Sequence, residues 1–309
     1  MASRTIGDVS DEAEIRPAYD GSSVAFRALE AGGWGELVNL GFYPAYALPG
    51  VVLGVGPFQR LLARKSLALL EPRPGMRVLD AGCGRGYTTA RLAEAGCLAL
   101  GLDMLPENVT AARARYGNTP DLRFATADVT RLPAEAAGVE LSDGSFDAVH
   151  CLEAAFHFGP KGRRDFLAET YRVLRPGGRL VLVDLVWRDS HAEQIEALDP
   201  RRLVRDTWCF AEFEPLERYR ESAAALGFRE AGFLDWTRPV IDRFQRIAQT
   251  TARAGTFRLG RLLLRTLRKG HARMSAADWE LVVELMRAHD AVRRASRYVA
   301  LVLDKPNVA

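Results

Sequence analysis

The sequence predicts an α/β fold, a doubly wound, Rossmann-like and mostly parallel sheet of seven strands with helical cap insertions. Two observations carry this prediction. Strand-like and helix-like segments alternate through the middle of the 309-residue chain, from about 76 to 187, as in a parallel sheet covered by helices on both faces. The run RLVLVDLVW at 179–187 is apolar except for Arg179 and Asp184, which is typical of a strand buried on both faces.

Each predicted element has a local reason. MRVLDAG at 76–82 and LALGLDM at 98–104 are short apolar runs that predict strands. Between them, YTTARLAEAG at 87–96 has the apolar spacing of an amphipathic helix. The helix predicted over 105–117 begins near a proline and ends at a glycine. The helix GRRDFLAETYRVL is followed by RPGG, a sequence that ends helices.

The alternation breaks after residue 187, so we predict cap segments around a common core. The core should supply the cofactor site, and the insertions should lie over its active edge. The predicted units are an N-terminal cap at 1–59, a cofactor-binding core at 60–187, a cap insertion at 188–213, a core helix and strand at 214–239, a basic helical cap at 240–295, and a final strand with the tail at 296–309.

Composition and charge narrow the function classes. A hydrophobic content of 48% and a net charge of +3 indicate a globular chain rather than a general nucleic-acid binder. The four cysteines form no C-x-x-C pair and no zinc-type cluster with histidine, so we expect no metal and reduced thiols, as in a cytoplasmic protein. The N-terminal residues lack the apolar segment of a secretory signal, and YALPGVVLGVGPF is too short and too broken to span a bilayer.

A glycine-rich loop follows the first predicted strand in VLDAGCGRGYTT, which contains Asp80, Gly82, Gly84 and Gly86. Glycines directly after a strand let the backbone approach a ligand closely. Tyr87 stands where the dinucleotide fingerprint needs a small residue, so a dehydrogenase is disfavoured. No Lys-Ser or Lys-Thr pair follows, so the loop is not a phosphate-binding P-loop.

Acidic residues end the next two predicted strands. Asp103 comes seventeen residues after Gly86, where a carboxylate can accept both ribose hydroxyls of a nucleoside. Met104, directly after it, is expected as a further cofactor contact. Asp128 ends the third strand and can accept from an adenine amino group. Open α/β sheets bind ligands at the carboxyl ends of their strands, so the sequence predicts a nucleoside-containing cofactor at this edge.

Five motifs in order resemble those of class I S-adenosylmethionine-dependent methyltransferases over about residues 60–187. They are VLDAGCGRG, the acid at 103, ATADVTRLP, SFDAVHC and VLRPGGRLVLVD. The resemblance implies S-adenosylmethionine as cofactor, with the three glycines against its methionyl part and Asp80 near its ammonium. It also implies Asp128 and Val129 at the adenine. NLGFY at 39–43 is similar to a segment that folds over the cofactor in small-molecule members, so Tyr43 is expected as an aromatic lid on the sulfonium side.

The stretch EAAFHFGP after the fourth strand carries Glu153 and His157. An imidazole there can take a proton from an alcohol or enol nucleophile, and Asp184 on the neighbouring strand can hold it in one tautomer. The stretch resembles the same loop in the sterol, tocopherol and natural-product sugar methyltransferase group. We predict His157 as general base and Asp184 as its orienter, with a pocket-shaping histidine as the alternative. Glu153 is expected to hydrogen-bond near the cofactor or to cap the following helix.

The predicted function is methyl transfer to a small, largely apolar acceptor such as an isoprenoid, lipid or polyketide-like secondary metabolite. O-methylation is preferred because His157 offers a base. C-methylation of an isoprenoid alkene through a carbocation is the alternative, since the later segments carry the aromatic residues for a cage, namely Trp187, Trp208, Phe210 and Phe213. A rival from another class is a non-catalytic, cofactor-binding regulatory protein.

The last cap insertion is strongly basic, with ten lysines and arginines against one acid between residues 238 and 273. Its arginines recur at helical spacing on one predicted face, at Arg258, Arg261, Arg265 and Arg268. Three interpretations stay open: a solvated face, contact with an anionic membrane through 258–269, or binding of a phosphorylated or carboxylated substrate. Nucleic acid is not expected as a partner, since no aromatic stacking platform accompanies the charge.

Overall fold

A large twisted sheet organises the part of the chain that the computed structural model describes, residues 24–33, 37–44, 54–188 and 195–307. Its strands are β1 Arg77–Ala81, β2 Leu98–Asp103, β3 Leu122–Thr126, β6 Phe146–Leu152, β7 Leu174–Trp187, β8 Glu214–Pro215, β9 Arg229–Asp235 and β10 Ser296–Asp304. A separate two-stranded hairpin is formed by β4 Glu135–Ala136 and β5 Val139–Glu140.

The strand order confirms the predicted doubly wound, mostly parallel fold. Seven strands pair in the order β3-β2-β1-β6-β7-β10-β9. Those from β3 to β7 are parallel, and β10 is antiparallel to both of its neighbours. The eighth strand, β8, has two residues beside the end of β7, too few for a sequence pattern to mark. The chain reverses its direction of winding between β1 and β6, which is where open α/β sheets form their ligand crevice.

Eleven α-helices are described around the sheet. They are α1 Val24–Ala31, α2 Gly56–Ala68, α3 Tyr87–Glu94, α4 Pro106–Tyr116, α5 Gly159–Val173, α6 Ile195–Leu198, α7 Leu203–Trp208, α8 Leu216–Leu226, α9 Arg243–Thr256, α10 Arg258–Leu267 and α11 Ala276–Ala295. Short 3₁₀ helices cover Ala155–His157 and Lys269–Arg273, and a π-helical turn covers Arg238–Asp242. Among the described residues, no helix is both long enough and apolar enough to cross a bilayer.

Alternate residues of the strands enter two hydrophobic cores, one on each face of the sheet. Leu79 and Val149 pack into the core that α5 and α8 cover. Val78 and Ala148 pack into the opposite core, together with Leu62 of α2. The central strands are therefore buried on both faces, as the largely apolar run in β7 predicts.

The late helices form a separate cluster with the N-terminal helix α1. Trp279 of α11 is buried with Leu264 of α10 and Met274 in the following turn. Ala25 and Ala31 of α1 pack into the same cluster. The basic segment therefore contributes its own apolar core and does not pack only through its charges.

The buried carboxylate of Asp80 ties four elements together behind the glycine loop. Its Oδ2 accepts hydrogen bonds from the Thr88 and Thr89 hydroxyls at the start of α3, each at 2.6 Å. Its Oδ1 lies 2.8 Å from Nδ1 of His150 on β6. The other imidazole nitrogen, Nε2, lies 3.0 Å from the Ser66 hydroxyl on α2.

Gly86 joins the loop to α3 at a place where only glycine fits. Its φ is 84°, in the left-handed region. A Cβ added there would lie 2.7 Å from the Ala112 Cβ and 2.8 Å from an edge carbon of the Phe124 ring. The residue is thus constrained by both its backbone conformation and the packing of α4 and β3.

Replacing Gly86 with alanine should destabilise the fold more than the same change at Gly75. Gly75 has nearly the same φ, 83°, but a Cβ there would meet nothing within 4 Å. Both variants carry left-handed strain of about 1–2 kcal/mol, and Gly86→Ala adds an overpacking cost of about 1–3 kcal/mol. Urea denaturation followed by circular dichroism measures both free energies of unfolding. Equal losses in the two variants would contradict the packing argument.

Candidate functional site

A cavity of about 110 Å³ opens at the carboxyl ends of β1, β2, β3 and β6; we call it the cofactor cavity. It lies at the reversal between β1 and β6, as the fold predicts. Eight of the residues predicted for the site line it, namely Gly82, Gly84, Asp103, Met104, Asp128, Val129, Glu153 and His157.

The glycine loop forms a bare floor for this cavity. Gly82 and Gly84 have φ values of 72° and 53°. A Cβ at Gly82 would lie 2.4 Å from the Ala154 Cβ, and one at Gly84 would lie 3.4 Å from a methyl of Val38. The loop therefore passes closely between β6 and the N-terminal segment, and leaves backbone rather than side chains against a ligand.

Asp103 stands at the carboxyl end of β2 with most of its hydrogen-bonding capacity in use. Its Oδ2 accepts from the Gly84 amide at 2.8 Å. Its Oδ1 accepts from the Leu105 amide at 3.0 Å and from the Asn108 side chain at 3.1 Å. A carboxylate has about four acceptor sites, so one remains at Oδ2. In this arrangement Asp103 can accept one further hydroxyl without displacing a protein donor, which refines the expectation that it accepts two.

Asp128 and Val129 form the far wall of the cofactor cavity. Asp128 Oδ1 accepts from the Thr130 amide at 2.8 Å and from the Thr130 hydroxyl at 2.7 Å. Among the described residues, its Oδ2 makes no hydrogen bond, so it can accept from a ligand amino group. Val129 is buried and apolar beside it. The cavity thus offers bare backbone, a carboxylate that can accept from a hydroxyl, a second carboxylate that can accept from an amino group, and an apolar wall. These features fit a nucleoside with a charged tail.

Two predicted cofactor contacts lie behind the cofactor cavity and do not line it. Asp80 is 1% exposed, and its oxygens are occupied by Thr88, Thr89 and His150. Gly86 faces α4 and β3. The expectation that Asp80 meets the ammonium and Gly86 the methionyl part is therefore corrected. Both residues shape the loop on which Gly82 and Gly84 lie.

Tyr43 is also not the predicted lid. Its side chain is buried, its hydroxyl donates to the Leu40 carbonyl at 2.9 Å, and its ring lies 4.6 Å from that of Phe58. The cofactor cavity is instead covered by the residues that precede it, Leu37, Val38 and Asn39. The N-terminal segment therefore covers the site as predicted, but it does so with Leu37, Val38 and Asn39 and not with the ring of Tyr43.

A second cavity adjoins the first and is lined mainly by apolar side chains; we call it the aromatic cavity. It shares Val38 and Glu153 with the cofactor cavity. The rings of Phe210 and Phe213 stack at 4.4 Å, and Phe156 meets both edge-on. Its other lining residues are Leu40, Leu185, Val204, Trp208, Ile241, His289, Val292, Arg293 and Ser296. Of the predicted aromatic cage, only Trp187 is set back, packed behind Phe213.

Glu153 is the ionisable group that lines both cavities. It has a φ of 51°, an uncommon conformation for a residue other than glycine. Its two carboxylate oxygens each lie 3.1 Å from the Leu40 amide, and Oε1 accepts from the Tyr298 hydroxyl at 2.5 Å. Burial raises the pKa of Glu153 to about 8, although these two donors oppose the rise. It does not cap the following helix, which corrects that alternative.

His157 lines the cofactor cavity with its tautomer set by the backbone. Nδ1 lies 3.1 Å from the Cys209 carbonyl. Because a carbonyl oxygen only accepts, Nδ1 carries the proton, which leaves a lone pair on Nε2. Burial lowers the pKa of His157 to about 4. The imidazole is therefore neutral at physiological pH.

Asp184 does not orient His157, and this prediction is wrong in the structure. Its Oδ2 accepts from the Tyr219 hydroxyl at 2.9 Å, and its Oδ1 accepts from the Leu185 amide at 2.9 Å. Asp184 lines neither cavity. Burial raises its pKa to about 7, opposed by the bond from Tyr219 and the charge of Arg163. The Cys209 carbonyl holds the imidazole instead.

His289 is a site residue that the sequence does not mark. It lies on α11 among charged residues, with no motif around it. In the wall of the aromatic cavity, its Nδ1 lies 2.8 Å from Oε1 of Gln245. The Gln245 amide group donates to the Met286 carbonyl at 2.6 Å, so its oxygen must accept from His289. Nε2 of His289 therefore carries a lone pair, and it makes no hydrogen bond to another described residue.

Comparisons with known proteins agree with this geometry. Residues 78–178 match a family model described as a methyltransferase domain. The chain is 31% identical to the 2-methyl-6-phytyl-1,4-hydroquinone methyltransferase of Synechocystis sp., over 67% of this chain and 64% of that protein. It is 28% identical to a probable chloroplastic tocopherol O-methyltransferase of Oryza sativa subsp. japonica, over 73% of this chain and 62% of that protein. It thus spans less than two thirds of each relative.

Solved structures share the fold. The geranyl diphosphate C-methyltransferase of Streptomyces coelicolor A3(2), in complex with Mg²⁺, geranyl diphosphate and S-adenosyl-L-homocysteine, superposes with a TM-score of 0.65 at 15% identity. The superposition covers 98% of this chain and 100% of that one. The match to a methyltransferase domain confirms the resemblance that the motifs indicate, and the solved structures share its fold.

Asp103→Asn should weaken binding of S-adenosylhomocysteine by about 1–3 kcal/mol. The charge-assisted hydrogen bond from the ligand is lost, and the NH₂ group of the asparagine faces a backbone or side-chain donor that Asp103 accepts from. Isothermal titration calorimetry measures the affinity. Asp121→Asn is the matched control, because this exposed residue lies at the opposite end of the neighbouring strand β3. Unchanged affinity in the Asp103 variant, or an equal loss in the control, would overturn the assignment.

Proposed function

We propose that this chain, built on a class I S-adenosylmethionine-dependent methyltransferase core, moves a methyl group to a hydroxyl of a small, largely apolar acceptor in the aromatic cavity. When bound, S-adenosylmethionine supplies an electrophilic methyl group on a sulfonium centre. The observation that carries the proposal is the junction of two cavities at Val38 and Glu153. An acceptor in the aromatic cavity would meet the cofactor cavity at this junction, away from bulk water.

The chemistry of the walls supports an acceptor with an apolar body and a few polar groups. Phe156, Phe210 and Phe213 offer ring surface, and polar groups converge from Glu153 and His289. The related proteins are named for a phytyl hydroquinone and a tocopherol, and the structural neighbour for geranyl diphosphate. We infer that the acceptor of this chain is likewise an isoprenoid-bearing or similarly lipophilic molecule, of the kind expected from secondary metabolism.

His157 supports proton transfer from the acceptor hydroxyl. Because Nδ1–H donates to the Cys209 carbonyl, Nε2 is the basic nitrogen of the ring, and we infer that the hydroxyl proton passes to it when the new oxygen–carbon bond forms. With a pKa of about 4, the imidazole is a weak base. The proton should therefore move late, once the hydroxyl has become acidic through bond formation. Most of the acceleration then comes from positioning.

C-methylation is the second candidate, and Glu153 is the observation that favours it. Methylation of an alkene leaves a carbocation, which aromatic faces stabilise and a carboxylate can deprotonate. Glu153 lies at the junction of the two cavities, and stacked rings stand in the aromatic cavity. In that reaction a carbon-bound proton would pass to Glu153.

His289 supports a second anchor for the acceptor. Gln245 holds it with the Nε2 lone pair available in the aromatic cavity. Burial, with a contribution from the nearby charge of Arg293, lowers its pKa to about 4, so it stays neutral. A neutral imidazole held in this tautomer accepts a hydrogen bond. The acceptor is therefore expected to carry a donor group, such as a second hydroxyl, at this end.

The function is tested by incubating the protein with methyl-¹³C-labelled S-adenosylmethionine and a panel of prenylated hydroquinones, tocopherols and geranyl diphosphate. Transfer of the label into the organic extract supports the activity, and the ¹³C chemical shift distinguishes an oxygen-bound from a carbon-bound methyl. Cofactor binding without transfer to any member, at protein concentrations that permit a single turnover, would favour the non-catalytic alternative.

His157→Asn and His157→Gln should each lower turnover roughly 10²–10⁴-fold if the imidazole takes the proton. The asparagine amide can keep the bond to Cys209, whereas the glutamine oxygen can replace the Nε2 acceptor, and neither side chain can accept a proton. Steady-state kinetics with the acceptor identified above measures the effect, and calorimetry with S-adenosylhomocysteine checks that the cofactor cavity is intact. Turnover within about threefold of the wild type in both variants would show that positioning alone suffices.

The pH dependence of turnover distinguishes the two bases. A glutamate accepts a proton only when ionised, so a Glu153 base gives turnover that rises with pH up to about 8, its pKa in the structure. A His157 base is already neutral above about pH 4 and gives no rise between pH 6 and 9. Glu153→Gln retains acceptors for Leu40 and Tyr298 and should abolish any such rise. A rise that persists in Glu153→Gln would exclude Glu153 as its source.

A further inference from the structure

A row of large apolar side chains is exposed on the surface helix α10. Leu259 is 78% exposed, Leu262 59%, Leu263 58%, and Phe257 just before the helix 68%. With Leu267, they make five of the eight exposed large apolar side chains among the described residues. The other three, Leu98, Leu234 and Leu281, lie on different elements. Elsewhere on the described surface, large exposed apolar residues occur singly. A contiguous exposed apolar patch of this kind marks an interaction site.

The apolar row points away from the protein. At 3.6 residues per turn, Leu259, Leu262 and Leu263 lie within an arc of about 100° on the helix; we call this arc the leucine face. Leu264 lies outside this arc and is 2% exposed, packed with Trp279 and Met274. The helix is therefore already anchored by one face, and the part of the chain that the structure describes leaves the leucine face exposed.

Positive charge accompanies the leucine face. Arg258 and Arg265 are exposed along its edge, and Lys269 is exposed just beyond the helix. No acidic residue occurs from 257 to 273. An exposed apolar arc bordered by unopposed cations is complementary to an anionic lipid surface, where leucines enter the acyl boundary and arginines meet the headgroups.

The structure corrects the predicted single arginine face. Arg261 turns inward and donates to the Gly255 and Thr256 carbonyls at 3.1 and 2.9 Å. The Arg268 guanidinium lies against Gly33 and Gly54. Only Arg258 and Arg265 of the four remain outward, so the outer surface of the helix is more apolar than the spacing of its arginines suggests.

We propose that α10 docks this protein on an anionic bilayer, with its axis in the membrane plane and the leucine face inserted. A solvated helix face would present polar side chains outward, and a site for a soluble phosphorylated substrate would not need three leucines in water. Both alternatives from the sequence are therefore less consistent with the exposure of this helix. Binding should involve a lipid surface and not an individual solute.

A third cavity links docking on a membrane to methyl transfer, and this link rests on the proposed function. It is lined by apolar residues of α1, α9 and α11, among them Leu29, Ile247 and Met286. His271, also in its wall, bonds through Nδ1 to the Leu264 carbonyl on α10 at 3.0 Å. Trp208 stands in the walls of both this cavity and the aromatic cavity. We infer that a lipophilic acceptor leaving the membrane beside α10 enters this cavity and passes Trp208 to reach the aromatic cavity.

The test is co-sedimentation with vesicles of phosphatidylcholine, with and without phosphatidylglycerol, at low and high salt. The wild type should bind the anionic vesicles at low salt, and high salt should weaken binding as it screens the arginines. The triple variant L259Q/L262Q/L263Q should lose at least about tenfold in vesicle affinity, since each removed side chain forfeits apolar burial. The triple variant L98Q/L234Q/L281Q, with exposed leucines elsewhere, should bind like the wild type. Arg258→Gln with Arg265→Gln should remove the preference for anionic lipid.

Failure of the wild type to bind anionic vesicles at low salt overturns the proposal, as does equal loss in the two triple variants. Sedimentation velocity is measured in parallel. If the leucine-face variant instead dissociates a wild-type dimer, the face is a contact between copies of this chain and the membrane proposal is wrong. Because the readout is vesicle binding, it stands apart from methyl transfer, and either proposal can fail without the other.

Discussion

The hydrogen bonds of the Asp80 carboxylate constrain the path of the glycine loop, and the cofactor cavity depends on that path. The carboxylate is enclosed by hydroxyls from the first turn of α3 and by an imidazole from β6. A buried carboxylate without such donors would be strongly destabilising. The loop therefore has little freedom, and the Gly84 amide is held where Asp103 accepts from it at 2.8 Å. The cofactor cavity is in this sense preorganised by a residue that does not line it.

Local patterns were sufficient to predict most of the fold and the glycine and acid contacts of the cofactor cavity. Gly82, Gly84 and Asp128 lie just after a strand and Asp103 ends one, so their position at the sheet edge follows from chain order. The partner of Asp184 could not be predicted in the same way. Its hydrogen bond comes from Tyr219, thirty-five residues later on helix α8. Motifs cover only neighbouring residues, so they do not indicate pairs that lie this far apart along the chain.

The basic segment illustrates a second limit of sequence patterns. Spacing alone predicts that the arginines of α10 share a face, because residues three and four apart are neighbours on a helix. It does not predict which side of the helix meets the protein. Leu264 determines the orientation of the helix, because it packs into the cluster around Trp279. In that orientation Arg261 and Arg268 turn toward backbone carbonyls and glycines, and the leucine face is left exposed.

The two adjoining cavities draw their walls from different parts of the chain. The cofactor cavity is built largely within residues 78–178, the span shared with the methyltransferase domain, whereas most of the aromatic cavity comes from residues 38–40 and from beyond residue 184. On the proposed function, substitutions in the cap segments should therefore change which acceptor is bound while leaving the walls of the cofactor cavity unchanged. Engineering of a new acceptor range would accordingly begin in the caps.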